Sequence, residues 1–510
     1  MSTQTPNNNA RIAKNTMFLY IRMLLTMAIT LYMSRIVLNM LGVVDYGIYN
    51  VVGGVVTMFA FLNGTISGVT QRFLTFEIGT GNYEKLKKVF NTSMCIHWCI
   101  AFLILILSET IGLWFVYNKL VIPIERFTAA LWVYQLSVFS VLVLVISIPY
   151  NACIIAHEKM SAFAYISIIE VVLKLSLVIA MNFLQYDKLI TYAFLMFVVQ
   201  LLVRFVYTIY CKKHFEESKY KLRIDYELAK NMLKFTGFSF FGGFANVGMS
   251  QGINVLLNMF FGPVVNAARA VTSQIETAVQ SFVLNFQTAL NPQLIKSYAA
   301  GNISLMHNLI FASCKYSYYL LMFLSLPIFL DASYILHIWL GNVPEHTVAF
   351  TRILLLAALV NSIASPLMTA ANATGNIKWY QIVCGSTLLI IVPIAYVFLK
   401  IGVSPEFVFG IYLVMVIIAQ IERLYIVSRL VKFSIKDYTF RVLLPVFKVS
   451  IIGTVIPLIL NKYITENFLG LVITFLLSVI SITCAIYICG ISQKERKIVI
   501  ERLNYIIKRH

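Results

Sequence analysis

Arg269, Ser273, Glu276, Thr277, Gln280, Gln287 and Asn291 recur at helical spacing along a single, otherwise apolar segment. That spacing puts them on one face of an α-helix. A polar stripe turned toward lipid would leave its donors and acceptors unpaired, so the face must look into a bundle interior or onto water. Arginine suits planar, bidentate recognition of phosphate oxygens and stays protonated in a low-dielectric cavity. Glu276 either pairs with Arg269, two turns away on the same face, or binds a coupling proton or sodium ion, and pairing is the preferred reading. The preceding apolar segment carries Asn246, Ser250, Asn254 and Asn258 along one face. Arg22 and Arg35 stand in the first apolar segment with no acidic residue beside them. Charges in such segments are costly and default to function, although Arg22 could also snorkel. The candidate substrate contacts are therefore Arg22, Arg35, Arg269, Asn254, Asn258, Ser273, Gln280 and Gln287, with Glu276 the candidate for ion coupling.

Other chemistry finds little support. The seven histidines show no HxxxH or HxxxxD pattern, and the eight cysteines form no CxxC pair and no Cys/His set with zinc spacing. No catalytic constellation and no metal site is expected. Arg204, Lys315, Arg423 and Lys448 lie near span ends, where long stems reach the headgroups. Glu170 and Lys174, four residues apart, can neutralise each other on one helix face.

The elements that must position these side chains follow from composition. The chain has 510 residues, 60% of them hydrophobic and only 12% charged, with a mean hydropathy of +0.83. A water-soluble fold needs more polar surface. Fourteen runs of about 20 apolar residues can be read: 16–41, 46–73, 87–117, 127–150, 160–183, 188–210, 232–261, 264–291, 307–340, 348–374, 377–399, 405–430, 440–461 and 467–490. The net charge of +19 would suggest nucleic acid in a soluble chain. Here, of 40 Lys and Arg, 26 fall in alternate loops and termini on one side and six in the opposite loops. The positive-inside rule assigns both termini to the cytoplasm, and no nucleic-acid partner is implied.

The chain also repeats itself. A shift of 220 residues lays Gly42 on Gly262, Gly81 on Gly301, Asn82 on Asn302 and Ser93 on Ser313, and at 217 Pro149 falls on Pro366. Spans 1–6 and 7–12 are two copies of one unit, and an even span number makes them parallel, a transporter architecture. The expected fold class is an all-α polytopic membrane protein of about 14 transmembrane helices. Two parallel six-helix repeats form two bundles, joined by two C-terminal helices. The expected divisions are a first bundle at 1–210, a cytoplasmic linker at 211–231, a second bundle at 232–430, and spans 13–14 with a basic cytoplasmic tail at 431–510. Pro149 and Pro366 are the candidate hinges.

A polar N-terminus, a first span with an internal Arg, SRIVLNMLGVVDYGIYN across the first turn and a Gly-Asn turn before span 3 resemble one family. It is the polysaccharide-exporter branch of the multidrug/oligosaccharidyl-lipid/polysaccharide exporter superfamily, which includes O-antigen and capsule-unit flippases. The resemblance covers the whole chain. It implies a bacterial inner-membrane flippase that moves undecaprenyl-diphosphate-linked oligosaccharide by alternating access, for O-antigen, capsule or lipopolysaccharide synthesis. Membrane lipids, a polysaccharide polymerase and glycosyltransferases would be its partners, and the monomer its working unit. No cofactor is implied beyond the coupling cation. Arginines would then meet the diphosphate and amides the sugar hydroxyls. A cation-coupled multidrug exporter of the same superfamily is the alternative, and a membrane enzyme of polysaccharide assembly is a third reading.

Overall fold

In hydrocarbon every backbone N–H and C=O must bond within the protein, and the apolar runs meet that demand as helices. The computed structural model describes residues 5–118, 122–183, 185–219, 224–261, 263–341, 343–493 and 495–497, and no strand occurs among them. The side chains of Arg35 and Asn258 and most of the basic tail lie outside the described residues.

Two compact units are present, Met1–Phe240 with Ile295–Gly301, and Phe241–Leu294 with Asn302–His510. The first opens with α1, Thr5–Thr80, whose 76 residues would extend roughly 110 Å as one rod. That is more than three times the hydrocarbon thickness. Gly42 breaks it with φ 74° and ψ 168°, as the Leu41-Gly42 turn predicts, so α1 supplies spans 1 and 2. There follow α2, Tyr83–Leu107, then α3, Phe127–Ala156, α4, Met160–Ala180, and α5, Lys188–His214. Helix α3 sits at the centre: Val133, Tyr134, Val138 and Val145 are fully buried with Val52 of α1, Ile104 of α2, Val178 of α4 and Leu189 of α5. The Tyr134 hydroxyl donates to the Ser108 carbonyl at 2.7 Å, inside a π-turn at Ser108–Gly112 that continues α2. At the loops, Arg126 donates to Asp45 at 2.8 Å and to Asp187 at 2.6 Å, tying three connections together.

Helix α6, Tyr226–Phe261, and α7, Pro263–Ala299, each run through both units. The second unit adds α8, Ile303–Leu330, the short α9, Ala332–Leu340, then α10, Thr347–Thr374, α11, Lys378–Lys400, α12, Pro405–Val431, α13, Leu444–Asn461, and α14, Phe468–Ala485. Phe350 of α10 packs on Phe409 of α12 with ring centres 4.3 Å apart, in a core shared with Ile253 and Leu257 of α6 and Ile391 of α11. Ten described helices are long and apolar enough to cross a membrane. They coincide with spans 3–6 and 9–14, while the two arms of α1 together with α6 and α7 cover spans 1, 2, 7 and 8. The chain is a multi-pass, all-helical membrane protein of the expected class.

The duplication is visible in atomic detail. Gly81 and Gly301 both adopt φ 72°, a conformation that favours glycine. Asn82 and Asn302 then cap the next helix, accepting from Lys85 N at 3.0 Å and Leu305 N at 3.1 Å. Pro149 and Pro366 both lie inside helices, α3 and α10, and both are buried. A mid-helix proline frees the carbonyl four residues earlier and crowds its neighbour. In α10 that carbonyl is Ser362 O, which accepts from Gln287 Nε2 at 3.1 Å. Ile363 O accepts from the Cys314 thiol at 3.3 Å. Ile146 O, the repeat-matched position in α3, accepts from Arg204 at 2.7 Å.

Thus Arg204 turns inward rather than snorkelling, its guanidinium 4.4 Å over the Tyr150 ring. Arg423 does the same, bonding Gln420 at 2.7 Å and the Tyr380 hydroxyl at 3.3 Å. Lys315 pairs with Glu495 at 3.0 Å, to which Tyr316 also donates at 2.7 Å. Burial alone would raise the Glu495 carboxyl. The Ser492 N–H, the Tyr316 hydroxyl and Lys315 outweigh it and hold the group at about 2. The Glu170–Lys174 pair forms as expected, at 2.6 Å.

Two outcomes follow from these contacts. Gln287→Ala orphans the Ser362 carbonyl and lowers unfolding stability by about 1–3 kcal/mol; in a Pro366→Ala background the restored N–H takes over and the loss shrinks. Thermal unfolding of the four detergent-solubilised proteins measures this, and equal losses in both backgrounds would contradict it. Because the Glu495 carboxyl is depressed, its stabilising contribution is present above its ordinary value of 4.5 and fades as pH falls toward about 2. A spin label at position 493 should therefore keep its immobilisation at pH 4 in the native chain and lose it at pH 7 in Glu495→Gln.

Candidate functional site

The second unit gathers the stripe of α7 into one polar cluster. Arg269 lies in the second turn of α7, only 7% exposed, and one guanidinium nitrogen donates to Ser250 of α6 at 3.1 Å. Its other terminal nitrogen, NH1, is buried without a hydrogen-bond partner. Seven residues on, Glu276 accepts from Gln280 Nε2 at 3.0 Å. A separation of seven residues is roughly 10 Å along the axis, too long for contact, and among the described residues Arg269 and Glu276 form no ion pair. The preferred pairing is therefore not made as a direct contact, and Tyr412 of α12 stands near both groups. The Tyr412 hydroxyl accepts from Asn361 of α10 at 3.4 Å. Behind the cluster, Thr272 bonds back to Ala268 O at 2.9 Å and meets the Thr351 hydroxyl at 3.3 Å, fixing α7 against α10.

This arrangement can bind an anion. A buried N–H on a charged group forfeits solvation without compensation, and an oxygen anion entering beside Arg269 would restore it. Glu276 and Gln280 add an acidic oxygen and an amide about two to three turns further along.

The remaining expected residues are distributed differently. Ser273 is half-buried on the same face, and its carbonyl accepts from the Thr277 hydroxyl at 2.8 Å. Asn254 donates to the exposed Gln251 at 3.1 Å. Gln287 is taken up by the carbonyl beside Pro366 in α10: its amide nitrogen also donates to Ser317 at 3.0 Å, and the residue is 2% exposed. Asn291 accepts from Thr369 at 3.1 Å, again a helix-packing contact. Arg22 belongs to the first unit, where it stacks 4.5 Å over Phe163 of α4 and feels Glu170 and Tyr207. The substrate assignments of Arg35 and Asn258 fall outside the described side chains.

Sequence reasoning missed Tyr412 and Asn361. Each is an isolated polar residue in an apolar span, with no periodic partner to single it out. It also missed a second cluster, in the first unit, where Cys153, His157 and Glu217 bring their ligand atoms within 4.8 Å of one another. Only the four-residue step from Cys153 to His157 was legible, because Glu217 arrives from beyond α5.

No protein-family model matches the chain. No curated protein matches it. Solved structures do. A Vibrio cholerae MATE transporter, VcmN, in its bent form superposes with a TM-score of 0.70 at 15% identity, over 86% of this chain and 100% of that one. The outward-facing conformation of a multidrug-resistance MATE family transporter of the MOP superfamily gives 0.69 at 15% identity, over 82% and 96%. The MATE transporter ClbM, in complex with Rb+, gives 0.67 at 17% identity, over 84% and 97%. At these identities the likeness is one of fold, and it spans nearly the whole of each neighbour: the chain has the fold of the MATE transporters.

Proposed function

We propose that the protein is a membrane transporter that flips an undecaprenyl-diphosphate-linked oligosaccharide across the bacterial inner membrane by alternating access. The observation that carries this reading is Arg269, a guanidinium deep in the second unit with a buried, unpartnered N–H. Such a group attracts phosphate oxygens and repels an organic cation. The neighbouring Ser250 and Gln280, with Asn361 and Tyr412, supply the hydroxyls and amides that sugar hydroxyls can match. No covalent chemistry is needed, and the MATE-like fold favours a transporter over an enzyme. Both termini are cytoplasmic in this scheme, and the product passes to a polysaccharide polymerase, with glycosyltransferases upstream. Pro149 and Pro366 are the hinges of this scheme, at repeat-matched positions whose nearby carbonyls accept from side chains, which suits helices that flex without exposing backbone.

Glu276 supports a second element. One neighbour is described in complex with Rb+, and a half-buried acid that accepts a hydrogen bond from Gln280 could take a coupling proton or sodium ion. The multidrug-exporter alternative would use the same acid but has no role for Arg269.

Transfer of lipid-linked sugar units in reconstituted vesicles tests both residues. Arg269→Ala should slow transfer roughly 10- to 100-fold, the worth of one charge-assisted hydrogen-bonding partner, and Arg269→Lys should be intermediate because the planar fork is lost. Normal transfer by well-folded Arg269→Ala would remove the diphosphate reading. Glu276→Gln should keep downhill transfer while losing its dependence on an imposed proton or sodium gradient.

A further inference from the structure

The turn that follows α3 and the short segment that follows α5 meet in a small buried cluster that transport does not use. Cys153 lies in the last turn of α3 and His157, four residues on, is its C-cap with its N–H on Cys153 O, so both project to the same side. Glu217, in the 3-10 turn Glu216–Ser218 after α5, reaches both. Its Oε1 lies 2.5 Å from His157 Nε2 and 3.6 Å from Cys153 Sγ. Cys153 and Glu217 are buried, and the His157 ring is held flat on Phe215 with centres 4.2 Å apart. Cys211, in the last turn of α5, is fully buried, lies against Cys153 and points its thiol at Tyr150 O, 3.4 Å away. Among the described residues Glu217 pairs with no Lys or Arg, only with His157. One nitrogen, one carboxylate oxygen and two sulfurs thus converge where α3 and α5 end, and helix C-termini favour a cation.

We propose that Cys153, His157, Glu217 and Cys211 form a tetrahedral Zn2+ site. Three of the four ligand atoms already lie within 4.8 Å, against the roughly 3.3–3.8 Å edges of a tetrahedron built on zinc bond lengths. Closure requires that the His157–Glu217 hydrogen bond open by about 1 Å and that the Cys211 thiol turn from Tyr150 O toward Cys153. The mixed sulfur and nitrogen donor set excludes magnesium and calcium, which take oxygen ligands, and suits a borderline metal. His157 would bind through Nε2 as the neutral imidazole. Each cysteine that binds as thiolate releases its proton to solvent. The ion would fix the turn that carries Glu158, which is buried beside His157 and holds Arg11 at 3.0 Å and Lys296 at 2.7 Å. The site is independent of the transport reading, since no residue in it belongs to the Arg269 cluster.

The test uses the full-length protein in detergent, purified without chelator. Elemental analysis should find one zinc per chain, and His157→Ala or Cys153→Ser should reduce zinc affinity at least tenfold. Replacement by Co2+ should give thiolate-to-cobalt charge-transfer absorption, lost in Cys153→Ser. In case a variant fails to fold, the native chain supplies a second measurement: alkylation of Cys153 and Cys211 should be at least tenfold slower with Zn2+ than after chelation. Folded native protein that takes up no zinc and alkylates equally with and without it would overturn the site. A Cys153–Cys211 disulfide in freshly purified protein would overturn it too, because the thiols would then be unavailable.

Discussion

The cost of an unpaired polar group away from water governs this structure. Each such group in hydrocarbon costs several kcal/mol, and much of the chain is built to meet that demand. Its spans are helical among the described residues, carbonyls beside Pro149 and Pro366 accept from side chains of neighbouring helices, and several intramembrane charges turn toward partners. Four examples, Arg204, Arg423, Lys315 and Lys174, find a carbonyl, an amide or a carboxylate within 3.0 Å. Snorkelling is the alternative for a lone helix. Once helices pack, an internal acceptor is nearer than the headgroups.

The duplication shows which parts of that answer are fixed by geometry and which by residue type. The Gly-Asn turn keeps both its φ and its capping bond in the two copies. The matched prolines keep a side-chain donor to a nearby carbonyl as well, but the donors change, Arg204 in one copy and Gln287 with Cys314 in the other. Near the loops, Arg126 holds Asp187 in the first unit, and the repeat-matched His346 holds Glu406 in the second. What persists is the need for a donor at that place.

This explains what was readable in the sequence. Periodic apolarity and the Gly42, Gly81 and Gly301 turns are local signals, so the spans, the repeat and the fold class could be read directly. The α7 stripe was readable as a face, but the division of labour along it was not. Gln287 and Arg269 lie on that stripe equally, yet one meets the carbonyl freed by Pro366 and the other meets Ser250. Which partner stands opposite is a tertiary fact carried by α6, α10 and α12. Tyr412, Asn361 and Glu217 were invisible for the same reason: each matters only through a helix far away in the chain.

Arg269 then stands out by contrast with the other arginines. Arg22 is stacked on Phe163 with Glu170 nearby, and Arg423 is bonded to two neighbours. Arg269 is as buried as Arg423 but leaves NH1 without a partner, although an acid one turn rather than two turns along α7 could have met it. Holding the acid and the base roughly 10 Å apart forgoes the stability of an ion pair. It leaves a positive group with one donor that no described side chain meets. The carboxylate on the same helix bonds Gln280 instead, so α7 gives up ion-pair stability and keeps an open donor, which is the condition the proposed anion binding requires.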